Sequence, residues 1–207
     1  MIQIVPYRPV WPDEFREFGG RLRSVVGERA LAIHHIGSTS VPNLCAKDII
    51  DIQVTVRSLD PAILDDLLTA GYVRPRLAED HCPPGMTLPD EELAKMIAGV
   101  PDRRIHIHIR VEGRFNQRYP LLCRDYLRTH NSAADAYGRV KEQLARYFPE
   151  DVEAYYDVKD PVFDIIHGRR PRLGSTDRLG CARLGCLTWP RGENGPSDLI
   201  LFLSRFL

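Results

Sequence analysis

What most constrains the fold of this chain is the run from Ala30 to Val56, ALAIHHIGSTSVPNLCAKDIIDIQVTV, which reads as a strand, a glycine turn, a loop and a second strand. Ala30 to Ile36 is mostly apolar and short enough for a strand. It stops at Gly37-Ser38-Thr39-Ser40, where glycine permits close backbone approach and three hydroxyls follow. That composition suits an anion cradle; it equally suits a tight turn whose hydroxyls satisfy their own backbone. Beyond Pro42 a second apolar run, Ile49 to Val56, alternates so that Asp51 and Gln53 share one face while Ile50, Ile52 and Val54 share the other. One carboxylate is thereby aimed where the glycine turn would hold a phosphate.

Ile105 to Val111 repeats the alternation, with His106, His108 and Arg110 on one face of a third strand. Two imidazoles two residues apart project together. If this strand lies beside the second, they join Asp51 in a metal site that favours a transition metal over magnesium. The alternative is that they, with His35 as a further candidate, only hydrogen-bond within a polar cleft.

Helical spacing predicts helices from Pro12 to Gly27, from Pro61 behind an Asp60 cap to Gly71, from Arg114 to His130, and from an Asn131 or Ser132 cap to Phe148. A last helix runs from Glu150 towards His167 with Pro161 inside it, and Met1 to Val5 reads as a short edge strand. Residues 74–104 are cut by Pro75, Pro83, Pro84, Pro89 and Pro101 and read as a long excursion over the site, with one short helix at Asp90 to Ala98.

Composition limits the partners. The chain has 28 basic and 28 acidic residues, but residues 169–207 hold seven Arg against Asp177, Glu193 and Asp198, so residues 1–168 are mildly acidic. That balance argues against a general nucleic-acid groove in the body and leaves a small anionic ligand open. Only Lys47, Lys95, Lys141 and Lys159 of the 28 basic residues are lysines, which makes Lys47, beside the glycine turn, a distinctive choice. Five scattered cysteines without CxxC spacing indicate reduced cytoplasmic thiols. No run reaches the roughly 18 apolar residues of a membrane span, so a cytoplasmic protein is expected. Residues 169–207 read as a Gly-, Pro- and Arg-rich linker ending in LILFLSRFL, a packing or homodimer-contact segment.

The string His35 to Pro42, followed by Ala46-Lys47, Ile49 to Ile52, His106-Ile107-His108, Arg124 to Arg128, Tyr137 and Lys141, resembles the signature of the GrpB family, a branch of the nucleotidyltransferase-like superfamily. The resemblance runs from about Val5 to His167, with Asn43 and Asp48 where the family usually has Gly and Pro. It implies an α/β (α+β) domain over residues 1–168: a mixed sheet of four or five strands flanked by helices, with a C-terminal helical extension. It further implies that Gly37, Ser38, Thr39 and Ser40, helped by Lys47, Arg124 and Arg128, hold the phosphates of a nucleotide or phosphorylated metabolite. Asp51 becomes the catalytic residue and, with His106 and His108, the ligand of a divalent ion, Mg or Mn or another transition metal, that assists nucleotidyl transfer. Some family members are fused to a dephospho-coenzyme A kinase, which points to nucleotide metabolism.

Superfamily enzymes carry two acids one residue apart on the second strand, and here the partner of Asp51 is the neutral Gln53. A non-catalytic nucleotide or phosphometabolite binder is therefore the rival reading. Arg124 and Arg128, at i and i+4, equally suit tying their helix to the core, and Tyr137 with Lys141 equally suits a solvated, helix-stabilising pair.

Overall fold

Ile and Val alternating with polar residues give two strands, Ile50–Val56 and Ile105–Val111, with one greasy face each, and burying those faces together organises the chain. The structure, a computed structural model, describes residues 1–75, 80–168 and 186–187. Strands β1 (Ala30–Ile36), β2 (Ile50–Val56), β3 (Lys95–Gly99), β4 (Ile105–Val111) and β5 (Cys186–Leu187) form one sheet in the order β3-β4-β2-β1-β5. β2 and β4 run parallel at its centre, and the other neighbours are antiparallel. This is the expected mixed sheet flanked by helices.

Ile50, Ile52, Val54, Ile105, Ile107 and Ile109 are buried on one face against Trp11, Phe15 and Leu22 of α1 (Trp11–Val26) and Ile63, Leu64 and Leu67 of α2 (Pro61–Thr69). α1 starts as its sequence dictates, with Pro12 in the first turn and Asp13 and Glu14 at the positive end of its dipole; it stops at Gly27, whose φ is 61°. Asp60 caps α2 by accepting from the Ala62 amide. Truncating a fully buried residue here, such as Leu22 to Ala, costs about 2–5 kcal/mol.

The opposite, polar face is covered by α4 (Phe115–Thr129), α5 (Asn131–Tyr147) and α6 (Val152–Gly168). A second apolar cluster of Val41, Leu44, Leu127, Ala134 and Tyr137 ties the loop after Gly37 to α4 and α5, with Val162 and Phe163 of α6 packed against it. A cleft lies between this layer and the sheet.

Three expectations need correction. The helix at Asp90 is a single turn, α3 (Asp90–Leu93), and the chain then becomes β3, where pairing with β4 and burial of Ala98 override a helix-favouring composition. Met1 to Val5 forms no strand; only Val5 makes a bridge, to Ala46. Within the stretch read as linker, Cys186–Leu187 pairs with Ile33 and His34 of β1 as an edge strand. The apolar end, Leu199 to Leu207, lies outside the described residues. Among the described residues no helix is long and apolar enough to cross a membrane.

Candidate functional site

Parallel pairing of β2 with β4 puts Asp51 beside His106 and Gln53 beside His108 on adjacent rungs. The side chains converge because each strand alternates with period two. His106 Nδ1 lies 3.2 Å and His108 Nε2 3.7 Å from Asp51 Oδ1, and one ligand atom from each residue falls within 4.8 Å of the others. Burial opposes ionisation of Asp51, yet the hydrogen bonds and charge of His106 and His108 outweigh it and hold the carboxyl well below the usual range. Burial and the neighbouring Arg110 push the His108 imidazole down to about 4, so the ring is neutral near pH 7.

Two imidazoles and one carboxylate fit a divalent transition ion, and they match magnesium's preference for oxygen poorly. Arg110 NH2 stands 3.4 Å from His108 Nδ1 and donates to it, which leaves the proton on Nε2, facing Asp51. Binding a metal through Nε2 then requires that proton to move to Nδ1 and Arg110 to draw back.

The second acid expected from the resemblance is absent in geometry as well as in sequence. Gln53 is fully buried; its amide donates to the Gln117 carbonyl at 3.0 Å, and its oxygen accepts from Arg110 NH1 at 2.8 Å. Asp48, in the loop before β2, offers no substitute either. It accepts from Trp11 Nε1, Arg8 NH1 and Arg103 NH2 at 2.8, 2.8 and 2.6 Å, and so pins the N-terminal segment.

Gly37 adopts φ 70°, the left-handed side of conformational space that glycine tolerates. A Cβ there would collide with the Asp51 carboxylate. Turn and carboxylate thus meet at the junction of two cavities. The outer, of about 620 Å³, is walled by α4, α6 and the polar strand face, and the inner, of about 120 Å³, lies behind the glycine turn; Gly37, Asp51 and His106 line both.

The remaining candidates separate. Ser38, Thr39 and Lys47 line the inner cavity, although Thr39 Oγ1 is spent on the Ile49 carbonyl and lies 3.1 Å from His35 Nε2. Ser40 Oγ donates to the Gly37 carbonyl and lines neither cavity. Arg124 lines the outer cavity while holding the His35 carbonyl at 3.0 Å and Asp125 at 2.7 Å; Arg128 lines neither, and its Nε and NH2 grip the Ser40 carbonyl at 3.0 and 2.7 Å. His35 shares its rung with Ile52, stacks on Phe15 of α1 and stands apart from the group of Asp51, His106 and His108.

Tyr137 and Lys141 are each 2% exposed, so they form no solvated pair. They line the inner cavity with Tyr155, Tyr156 and Lys159 of α6. Sequence reasoning passed over those three residues, and also Asp80, which accepts from Lys95, Arg110 and Asn116 and fixes the far wall of the outer cavity. The one available signal was the scarcity of lysine: all four lysines of the chain line these two cavities.

Known proteins agree with this architecture. The family model described as GrpB protein matches residues 1–169. UPF0157 protein BH1888 of Halalkalibacterium halodurans is 37% identical over 170 residues, covering 81% of this chain and 82% of that protein. A dephospho-CoA kinase of Mycolicibacterium paratuberculosis is 35% identical over 81% of this chain, which spans only 46% of that enzyme. The crystal structure of the conserved protein GrpB from Enterococcus faecalis superposes with a TM-score of 0.63 at 28% identity, covering 79% of this chain and 96% of that one. By its motifs, its fold and these relatives, the chain belongs to the GrpB family.

Proposed function

We propose that this protein binds a nucleotide or other phosphorylated metabolite in the cleft between the sheet and α4 to α6, and that it transfers a nucleotidyl group with the help of a divalent ion. The observation that carries the reading is the position of Asp51, which stands against the Gly37 backbone and beside two imidazoles where the two cavities join. A solitary carboxylate there would repel a phosphate; with a cation between them the arrangement becomes attractive. Asp51, His106 and His108 would hold the ion, which when bound polarises phosphoryl oxygens and offsets their charge. The chain's own contribution is placement. Gly37 lets the ligand approach the backbone, Lys47 supplies positive charge behind it, and α6 excludes water from one side.

The mycobacterial relative's name, dephospho-CoA kinase, is consistent with a role near nucleotide metabolism. The rival reading, a binder without catalysis, is favoured by one observation, the locked Gln53. Thermal melts across nucleotides with and without manganese, zinc or magnesium test binding, and diphosphate release from labelled nucleoside triphosphates tests transfer. Metal-dependent stabilisation with release supports transfer. Stabilisation without release supports the binder. A panel that leaves the melting temperature unmoved overturns both.

A further inference from the structure

Lys141 is a buried amine that the transfer reaction proposed above does not use. Only 2% of the residue is exposed; its Nζ donates to the Cys45 carbonyl and lies 4.7 Å from the centre of the Tyr137 ring. Two of the other lysines are in ion pairs, Lys159 with Asp160 at 2.8 Å and Lys95 with Asp80 at 2.5 Å. Among the described residues Lys141 has no such pair, and its polar hydrogen-bond partner is a neutral carbonyl.

Its neighbourhood is cationic. Lys47 and Lys159 line the same inner cavity, their Nζ atoms 4.3 and 4.5 Å from the centre of the Tyr156 ring, and both act on Lys141. Asp51 of β2 and His106 of β4 line the space from the sheet side, and Glu142, on the same helix, is exposed. Burial pushes the Lys141 amine down to about 7; repulsion by Lys159 and Lys47 adds to this, while the Cys45 thiol and Glu142 oppose it. An ordinary lysine, at 10.5, is almost wholly charged at neutral pH, whereas Lys141 keeps a large share of free amine. A nucleophilic nitrogen therefore sits in a half-enclosed space beside two cations.

We propose that Lys141 is a carbamylation site, at which Nζ adds carbon dioxide reversibly and the resulting carbamate lies in the inner cavity against the Lys47 and Lys159 ammonium groups. The Nζ lone pair forms the new bond to carbon, one C–O π pair moves onto oxygen, and Nζ releases a proton to solvent. Neutral amine and carbon dioxide thus give a carbamate anion and a proton. The hydrogen that stays on Nζ keeps the bond to the Cys45 carbonyl. A water molecule needs about 10–15 Å³ of such space, so a cavity of about 120 Å³ has room for the three heavy atoms that the reaction adds. Hydrogen bonds from the two ammonium groups offset the cost of burying the new charge. Carbamylation needs neither a nucleotide nor a divalent ion, and it stands or falls apart from nucleotidyl transfer.

The full chain in chelator-containing buffer at neutral pH, with isotopically labelled bicarbonate as the source of carbon dioxide, provides the test. An alkylating oxonium salt converts any carbamate into a stable ester, and peptide mass spectrometry then locates it. Label is expected on Lys141 and not on Lys47, Lys95 or Lys159, together with a carbamate carbon resonance in the NMR spectrum of the untreated protein. Locating the ester also separates Lys141 from the α-amino group of the chain, which reacts in the same way. Lys47→Met leaves the amine in place and removes one neighbouring cation, so it should lower the labelled fraction of Lys141 several-fold. Lys141→Arg keeps a cation but offers no free amine, and should abolish the resonance.

Folded wild type without label on Lys141 overturns the proposal. Equal labelling of all four lysines, or equal labelling of Lys141 in denaturant, overturns it too, because the reaction would then owe nothing to the cavity. A labelled fraction unchanged in Lys47→Met overturns the placement of the carbamate beside Lys47. Nucleotide melts on the same protein decide the transfer reaction separately.

Discussion

Gly37 and Asp51 stand so close that a single methyl group on the glycine would overlap the carboxylate. The contact joins the turn residue that follows β1 to Asp51 of β2, whose partner across the ladder is the preceding Ile36. Gly37→Ala must therefore displace Asp51 as well as strain a backbone held at φ 70°. The variant should lose about 1–3 kcal/mol of stability, and what remains folded should show no metal-dependent stabilisation by nucleotide. Denaturant melts with and without manganese check both parts. Full metal response in Gly37→Ala would mean that the close approach serves only the turn.

Asp51→Asn keeps the shape and removes the charge. It should fold and bind phosphate, but lose the metal-dependent part of ligand stabilisation, which for wild type at about 100 times the dissociation constant is about 2.7 kcal/mol. His106→Ala should do the same. If Asp51 serves only as a partner for His106, the variant will instead melt lower while its metal response persists.

Gln53→Glu supplies the second acid of the pattern that the sequence resembles, but it should not create a magnesium site. The new carboxylate would meet the Gln117 carbonyl where an amide now donates. The expected outcome is a loss of about 1–3 kcal/mol and no gain in magnesium binding, read by calorimetry. A Gln53→Glu protein that binds magnesium tightly would show that the chain can still assume the two-acid arrangement.

Lys141 predicts a pH dependence. Its folded value, about 7, lies below the 10.5 of an unperturbed lysine because burial disfavours the charge. Above 10.5 both folded and unfolded states are neutral and nothing is lost; below 7 both are charged and the folded state carries the full cost. The stability of wild type relative to Lys141→Met should therefore rise between those limits by up to about 1.4 kcal/mol per pH unit. It should be flat below them. A difference that is constant across pH 7 to 10 would place the ammonium in water.

Asp48 should matter to stability and not to the ligand. It gathers Trp11, Arg8 and Arg103 around the start of β2, and the Arg103 guanidinium also grips Glu14 and the Asp48 carbonyl. Asp48→Ala should cost about 1–3 kcal/mol with unchanged metal and phosphate affinity in the folded fraction. A selective loss of metal binding would make it a ligand after all.

The central strands were legible because Ile and Val alternate with polar residues, and that pattern put Asp51 on the polar face of one strand and His106 and His108 together on the polar face of another. That β2 and β4 are neighbours was not legible; it depends on the crossover between them. β3 was hidden because Lys95 to Gly99 has no strand pattern of its own and becomes a strand only beside β4. The spacing of Tyr137 and Lys141 showed that they share a helix face without showing which way the face points. Burial against Val41 and Leu44 decides that, and those residues lie far away in sequence. Tyr155 and Lys159 carried no local signal, since their meaning comes from α6 crossing the back of the glycine turn.

Two parts of the outer cavity's lining, besides α4 and α6, have different origins in the chain. Asp51 and His106 belong to the two central strands, whereas Asp80, His81 and Lys95 belong to residues 57–104, the long connection that carries the chain from β2 to its parallel neighbour β4. Changes of length or composition in that connection can reshape what the cleft admits without moving Asp51, His106 or His108. Diversification within the family therefore has a natural outlet: relatives should diverge most in residues 74–94 and retain the strand residues.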